Sequence, residues 1–172
     1  ELHILRNHLG LDRCHILGHS WGTMLGMDYY LAHPDGILSL VQSSHCISIQ
    51  RWIEDCNNYR NQLPVEVQAV MAEHEKAGTT GSEEYTDAEK EFNKRHVLRM
   101  DPVPEAVLQG RRERGTVVYE TMWGPNEFYM TGNLANYDRS GDLHQISIPT
   151  LYSCGRFDEA APDTVNWYAD LT

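Results

Sequence analysis

Apolar residues at Leu2, Leu5 and Leu9 recur at a helical spacing, and Gly10 supplies a stop. Cys14 to Leu17 follows as a short β-favouring run, which predicts a buried strand. Trp21 to Ala32 reads as a helix ended near His33-Pro34, Asp35-Gly36 as a turn, and Ile37 to Val41 as a second strand. The first forty residues therefore alternate helix, strand, helix, strand, and that alternation implies a parallel sheet in an α/β protein.

From about Ile49 the pattern changes. Pro64 can open a helix that runs through Val67, Val70 and Met71 and stops near Gly78. Ser82 can cap another, with Tyr85, Ala88, Phe92 and His96 on one face. Asp101-Pro102-Val103-Pro104 breaks it, and helical or irregular sequence continues to about Leu143. Pro149 to Cys154 returns to a strand pattern, and Pro162 to Leu171 to a helical one. The expected organisation is an α/β core, residues 1-45 and 143-172, interrupted by a helical cap insertion over residues 46-142. No repeat or low-complexity stretch is present.

Composition narrows the function classes. Over 172 residues, 41% are hydrophobic and 23% charged, the balance of a soluble globular domain. A formal net charge of −11 disfavours nucleic acid and anionic membranes as partners, and no apolar run is long enough to span a bilayer. The four cysteines fit no C-x-x-C metal or redox spacing. They read as buried free thiols of a reducing compartment, so a cytoplasmic location is expected, with no metal and no cofactor. Composition sets no oligomeric state.

The candidate chemistry lies in Gly18-His19-Ser20-Trp21-Gly22, a G-x-S-x-G pentapeptide set between the first strand and the second helix. That context is what a serine nucleophile needs. A sharp strand-to-helix turn lifts its hydroxyl above the sheet edge, and glycines allow the backbone to close on itself. The helix that follows aims its first N–H groups at a developing oxyanion, and the N–H of Trp21 is the natural first donor. In this arrangement the acid follows a later strand, which points to Asp158 in Gly155-Arg156-Phe157-Asp158-Glu159.

A serine also needs a histidine to take its proton. All nine histidines precede Asp158, whereas the chain order of such triads is serine, acid, histidine. His144 precedes the acid's strand, and His19 lies inside the turn, pointing away from the hydroxyl. His15 and His19 are four apart, but no Glu follows His15 and the segment is not helical, so H-E-x-x-H zinc chemistry is excluded. The histidine is expected beyond Thr172.

Three segments carry a resemblance: ILGHSWGTMLGMDYYLAHPDGILSLV, TMWGPNEFYMTGNL and IPTLYSCGRFDEAAP. They resemble the proline iminopeptidases, α/β-hydrolases of the prolyl aminopeptidase type, across nearly the whole chain. The resemblance implies a partial α/β-hydrolase fold with a helical cap. It implies release of N-terminal proline or another N-terminal residue from a small peptide or amino acid amide. On the matching positions it makes Ser20 the nucleophile and Asp158 the triad acid, and it makes Glu127 and Glu159 the carboxylates that hold the substrate's α-amino group. Two carboxylates beside a nucleophile can anchor a terminal ammonium by charge-assisted hydrogen bonds. The family's H-G-G-P-G loop, a second source of oxyanion contacts, is expected upstream of Glu1. The 172 residues by themselves are then expected to be inactive, as an internal segment of such an enzyme. Two other readings stay open: an amino acid amide or ester hydrolase of the same fold, and a non-catalytic remnant that binds an amine or a partner.

Overall fold

A computed structural model describes residues 1–172. The β-favouring runs form β1 (Cys14–His19), β2 (Ile37–Ser43) and β3 (Thr150–Ser153). All three are parallel, in the order β1-β2-β3. Parallel neighbours need crossover connections. The first is α2 (Trp21–Ala32), and α8 (Pro162–Leu171) follows β3 with Pro162 at its first position.

Alternation along the strands decides what is buried. Leu40 of β2 and Met27, Tyr29 and Tyr30 of α2 form the core with Ile47, Leu143, Ile146 and Tyr168, and Ile16 and Tyr152 pack against it. The opposite face carries the aligned row Leu17, Val41 and Leu151. Leu17 is 70% and Leu151 59% exposed, so β1 is not the buried strand its composition predicts. The expected apolar face of α1 (Leu2–His8) is likewise open, with Leu5 and Leu9 exposed. Its buried member is Arg6, whose guanidinium donates to the carbonyls of Leu11 and Asp12 at 2.7 Å each. Backbone acceptors there satisfy a charge, and of the three leucines only Leu2 packs against the core.

The chain divides into two compact units: Glu1–Ile49 with Tyr137–Thr172, and Gln50–Asn136. The sheet belongs to the first, which a 3-10 turn at Ser140–Gln145 closes by burying Leu143. The second is helical, with α3 (Ile49–Arg60) entering it, then α4 (Val65–Ala77), α5 (Glu83–His96), α6 (Glu105–Glu113) and α7 (Thr116–Met122). Pro64 precedes α4, and Gly78 ends it in a left-handed conformation at φ 69°. Ser82 caps α5, accepting from the Tyr85 amide at 3.1 Å. Tyr85, Ala88 and Phe92 are buried on the predicted face, and His96 stacks on Tyr59 with ring centroids 4.1 Å apart. No helix is long and apolar enough to cross a membrane. All four cysteines are free thiols, but only Cys46 and Cys56 are buried; Cys14, which opens β1, and Cys154, just past β3, are half-buried.

Candidate active site

Ser20 stands between β1 and α2 with φ 52° and ψ −126°. A non-glycine residue held there stores about 1–3 kcal/mol and persists only where its surroundings enforce it. They do so from both sides. The Ser20 amide donates to the Ser43 carbonyl at the end of β2, 3.1 Å away. The Ser20 carbonyl accepts from the Thr23 amide at 2.8 Å and from the Thr23 hydroxyl at 2.6 Å. Thr23 is fully buried, and its hydroxyl oxygen in turn accepts from the Cys46 amide at 3.1 Å. The two motif glycines are not equivalent. A Cβ on Gly18 would come within 2.4 Å of the Gly22 carbonyl oxygen, so only glycine fits there. A Cβ on Gly22 would meet open space, so the steric argument holds for the first glycine alone.

Asp158 follows β3. Because the strands are parallel, the loops after β1 and β3 leave the sheet at the same carboxyl edge, with β2 between them. Three donors hold the Asp158 carboxylate. Oδ2 accepts from the Ser44 hydroxyl at 2.6 Å and from the Gly155 amide at 3.1 Å, and Oδ1 accepts from the Ala160 amide at 2.9 Å. Glu159 is half-buried next to it, and Trp21 is the first residue of α2, where N–H groups have no intrahelical acceptor.

None of the nine histidines hydrogen-bonds to Ser20 or Asp158. His45 is closest in effect. It is buried between the rings of Tyr152 and Tyr168, at centroid distances of 5.1 and 4.9 Å, with neither ring nitrogen hydrogen-bonded. Burial pushes its pKa down to about 4, against a smaller upward pull from the Asp158 charge. A neutral, desolvated imidazole of this kind is part of the core.

Glu127 lies in the second unit, in a segment fixed by its neighbours. The indole N–H groups of Trp52 and Trp123 both donate to the Glu127 carbonyl, at 2.8 and 3.2 Å. Buried Asn126 accepts from the amides of Phe128 and Tyr129 and donates to the Tyr85 hydroxyl at 2.9 Å. Tyr85 donates onward to Glu75, which Arg60 grips with one nitrogen at 2.8 and 2.9 Å. Trp123 and Phe128 are buried as part of the core of the second unit. Glu127 itself is half-buried.

Residues 1–170 match the family described as the alpha/beta hydrolase fold. The chain belongs to the α/β-hydrolase family. It is 44% identical over its whole length to a proline iminopeptidase of Heyndrickxia coagulans, and covers 60% of that protein. Among solved structures, VinJ superimposes with a TM-score of 0.92 at 36% identity, covering 99% of this chain and 59% of VinJ. A proline iminopeptidase of Mycobacterium smegmatis gives 0.82 at 37%, covering 98% of this chain and 57% of that one. The chain thus spans about 60% of the length of the relatives it matches.

In this α/β-hydrolase the residues that hold Ser20 and Asp158 in place escaped the sequence reading: Thr23 and Ser43 on Ser20, and Ser44 on Asp158. Ser43 and Ser44 have one sequence signal, the polar run Gln42-Ser43-Ser44-His45 at the end of an apolar strand, and Thr23 has none. An apolar hollow of about 360 Å³ beside α1, β1 and α2 is lined by Leu2, Leu5, Ile16, Leu25 and Tyr29, and by neither Ser20 nor Asp158. No group of three His, Cys, Asp or Glu side chains is placed to hold a metal ion.

Proposed function

We propose that the whole protein is a serine hydrolase of the proline iminopeptidase type, releasing N-terminal proline or a similar residue from small peptides or amides. The observation that carries this reading is Ser20, held at φ 52° on the same carboxyl edge of the sheet as Asp158. The 44% identity to a proline iminopeptidase supports the choice of substrate. Ser20 Oγ attacks the scissile carbonyl while a histidine, supplied from outside these 172 residues, takes its proton. Asp158 accepts that histidine's other N–H and holds its tautomer. The oxyanion accepts from the Trp21 amide, the histidine returns the proton to the leaving amine, and water then hydrolyses the acyl-enzyme.

Glu127 and Glu159 anchor the substrate's free ammonium, which sits on the same residue as the scissile carbonyl and so sets the register of cleavage. Glu127→Gln and Glu159→Gln are each expected to lower kcat/KM on a proline arylamide by about 10- to 100-fold, the value of one hydrogen bond to a charged group. N-acylated substrates should be poor for the wild type and little changed in either variant. Full activity of both variants on the free-amine substrate would remove the two carboxylates from the mechanism. The test of the reading as a whole is turnover of a proline arylamide by the whole protein, with Ser20→Ala as control. Turnover that survives in the control rules it out.

A further inference from the structure

The Asp158 carboxylate is more fully engaged than an exposed loop acid. A carboxylate offers about four lone-pair sites. Oδ2 uses both of its own, on the Ser44 hydroxyl and the Gly155 amide, and Oδ1 uses one, on the Ala160 amide. One acceptor position is left, on Oδ1.

Ser44 itself has a cost that needs a reason. Its φ is 46°, where glycine or asparagine sits more comfortably than serine. Its amide donates to the Ser153 carbonyl at 2.8 Å, which fixes the residue against the last position of β3, ahead of the Asp158 loop. The preceding Ser43 carbonyl holds the Ser20 amide. One dipeptide at the end of β2 therefore reaches the nucleophile's backbone through one residue and the acid's side chain through the next. What serine offers there and glycine lacks is the hydroxyl, and that hydroxyl makes the shortest of the three bonds to Asp158.

We infer that Ser44 is a positioning residue of the triad: its hydroxyl fills Oδ2 of Asp158, fixes the carboxylate rotamer, and leaves Oδ1 to receive the N–H of the catalytic histidine. The inference rests on the reading of Asp158 as the triad acid. Ser44 touches no substrate and acts only through Asp158. Without it the carboxylate can rotate, and the histidine loses a fixed acceptor in the transition state, where it carries a positive charge. Substrate binding draws on none of these bonds, so the loss belongs in kcat.

The test uses the whole protein and a proline arylamide, with Ser44→Gly, Ser44→Cys, Asp158→Asn and Ser20→Ala made in parallel. Ser44→Gly deletes the hydroxyl and relieves the positive φ, so its melting temperature should hold or rise. Its kcat should fall about 10- to 100-fold with KM little changed, and the low-field imidazole proton resonance of a His–Asp bond should weaken or shift. Ser44→Cys keeps the shape with a weaker donor and should fall between wild type and Ser44→Gly. It decides the matter if the glycine variant does not fold. Wild-type kcat in either folded variant overturns the inference, as does a fall in kcat that only tracks lost stability while the resonance is unchanged. If Ser20→Ala and Asp158→Asn abolish turnover and Ser44→Gly does not, this inference alone fails. If Asp158→Asn turns over normally, the triad reading fails with it.

Discussion

Ser20→Ala in the whole protein is expected to lower kcat on a proline arylamide by about 10⁴-fold or more, with KM nearly unchanged. The substitution removes only the hydroxyl. The amide and carbonyl that hold residue 20 stay bonded to Ser43 and Thr23, so the turn and the start of α2 should survive. Asp158→Asn is expected to cost about 10⁴-fold for a different reason: an amide can present its NH₂ where the histidine N–H needs an acceptor, which favours the wrong tautomer. The double variant should be scarcely worse than Ser20→Ala, because a nucleophile and the acid that serves it act as one unit. Steady-state kinetics, with circular dichroism to verify folding, decide the matter. A Ser20→Ala enzyme that keeps a tenth of its kcat cannot owe its turnover to this serine.

The elements around that site were legible because their signals are local. Helix 21–32 falls where its pattern and His33-Pro34 put it, and α8 begins at Pro162 as the sequence predicts. Pro64, Gly78 and Ser82 each act at the helix end that their chemistry favours. Other parts needed information a single sequence does not carry. The helix α3 buries Ile49, Trp52 and Cys56 at the i, i+3, i+7 spacing of an amphipathic helix, but no proline marks its start in the sequence. The helices α6 and α7 have no fully buried residue, so their apolar positions mark no core face. Leucines on α1 and β1 predict burial, and they are exposed because burial depends on what packs against them.

The site divides in the same way. The positions of Ser20 and Asp158 in the fold were readable because a turn motif and a strand-then-loop placement are features of adjacent residues. Ser44 was not, because its partner Asp158 is 114 positions away. It became visible only through the parallel register that sets β2 between β1 and β3. Gly22 shows the opposite error, since a glycine of the motif meets open space where a tight approach was expected.

Acid is expected to weaken the folded chain through His45. This ring is 2% exposed, lies between Tyr152 and Tyr168, and has no hydrogen bond at either nitrogen. Burial holds its pKa near 4, below the ordinary value of about 6.5. Between those values the unfolded chain binds a proton that the folded chain refuses, so stability must rise with pH across that window. The stabilisation is complete above about pH 6.5 and lost as pH falls to about 4, and it amounts to about 3 kcal/mol. Carboxylates titrate in the same range, so the comparison has to be a difference. His45→Phe keeps an aromatic ring for the two tyrosines and removes the proton site. Urea unfolding of both proteins at about pH 7.5 and about pH 4 should show the wild type losing about 3 kcal/mol more than the variant. Parallel losses would mean that His45 is already charged, or already bonded, in the folded state.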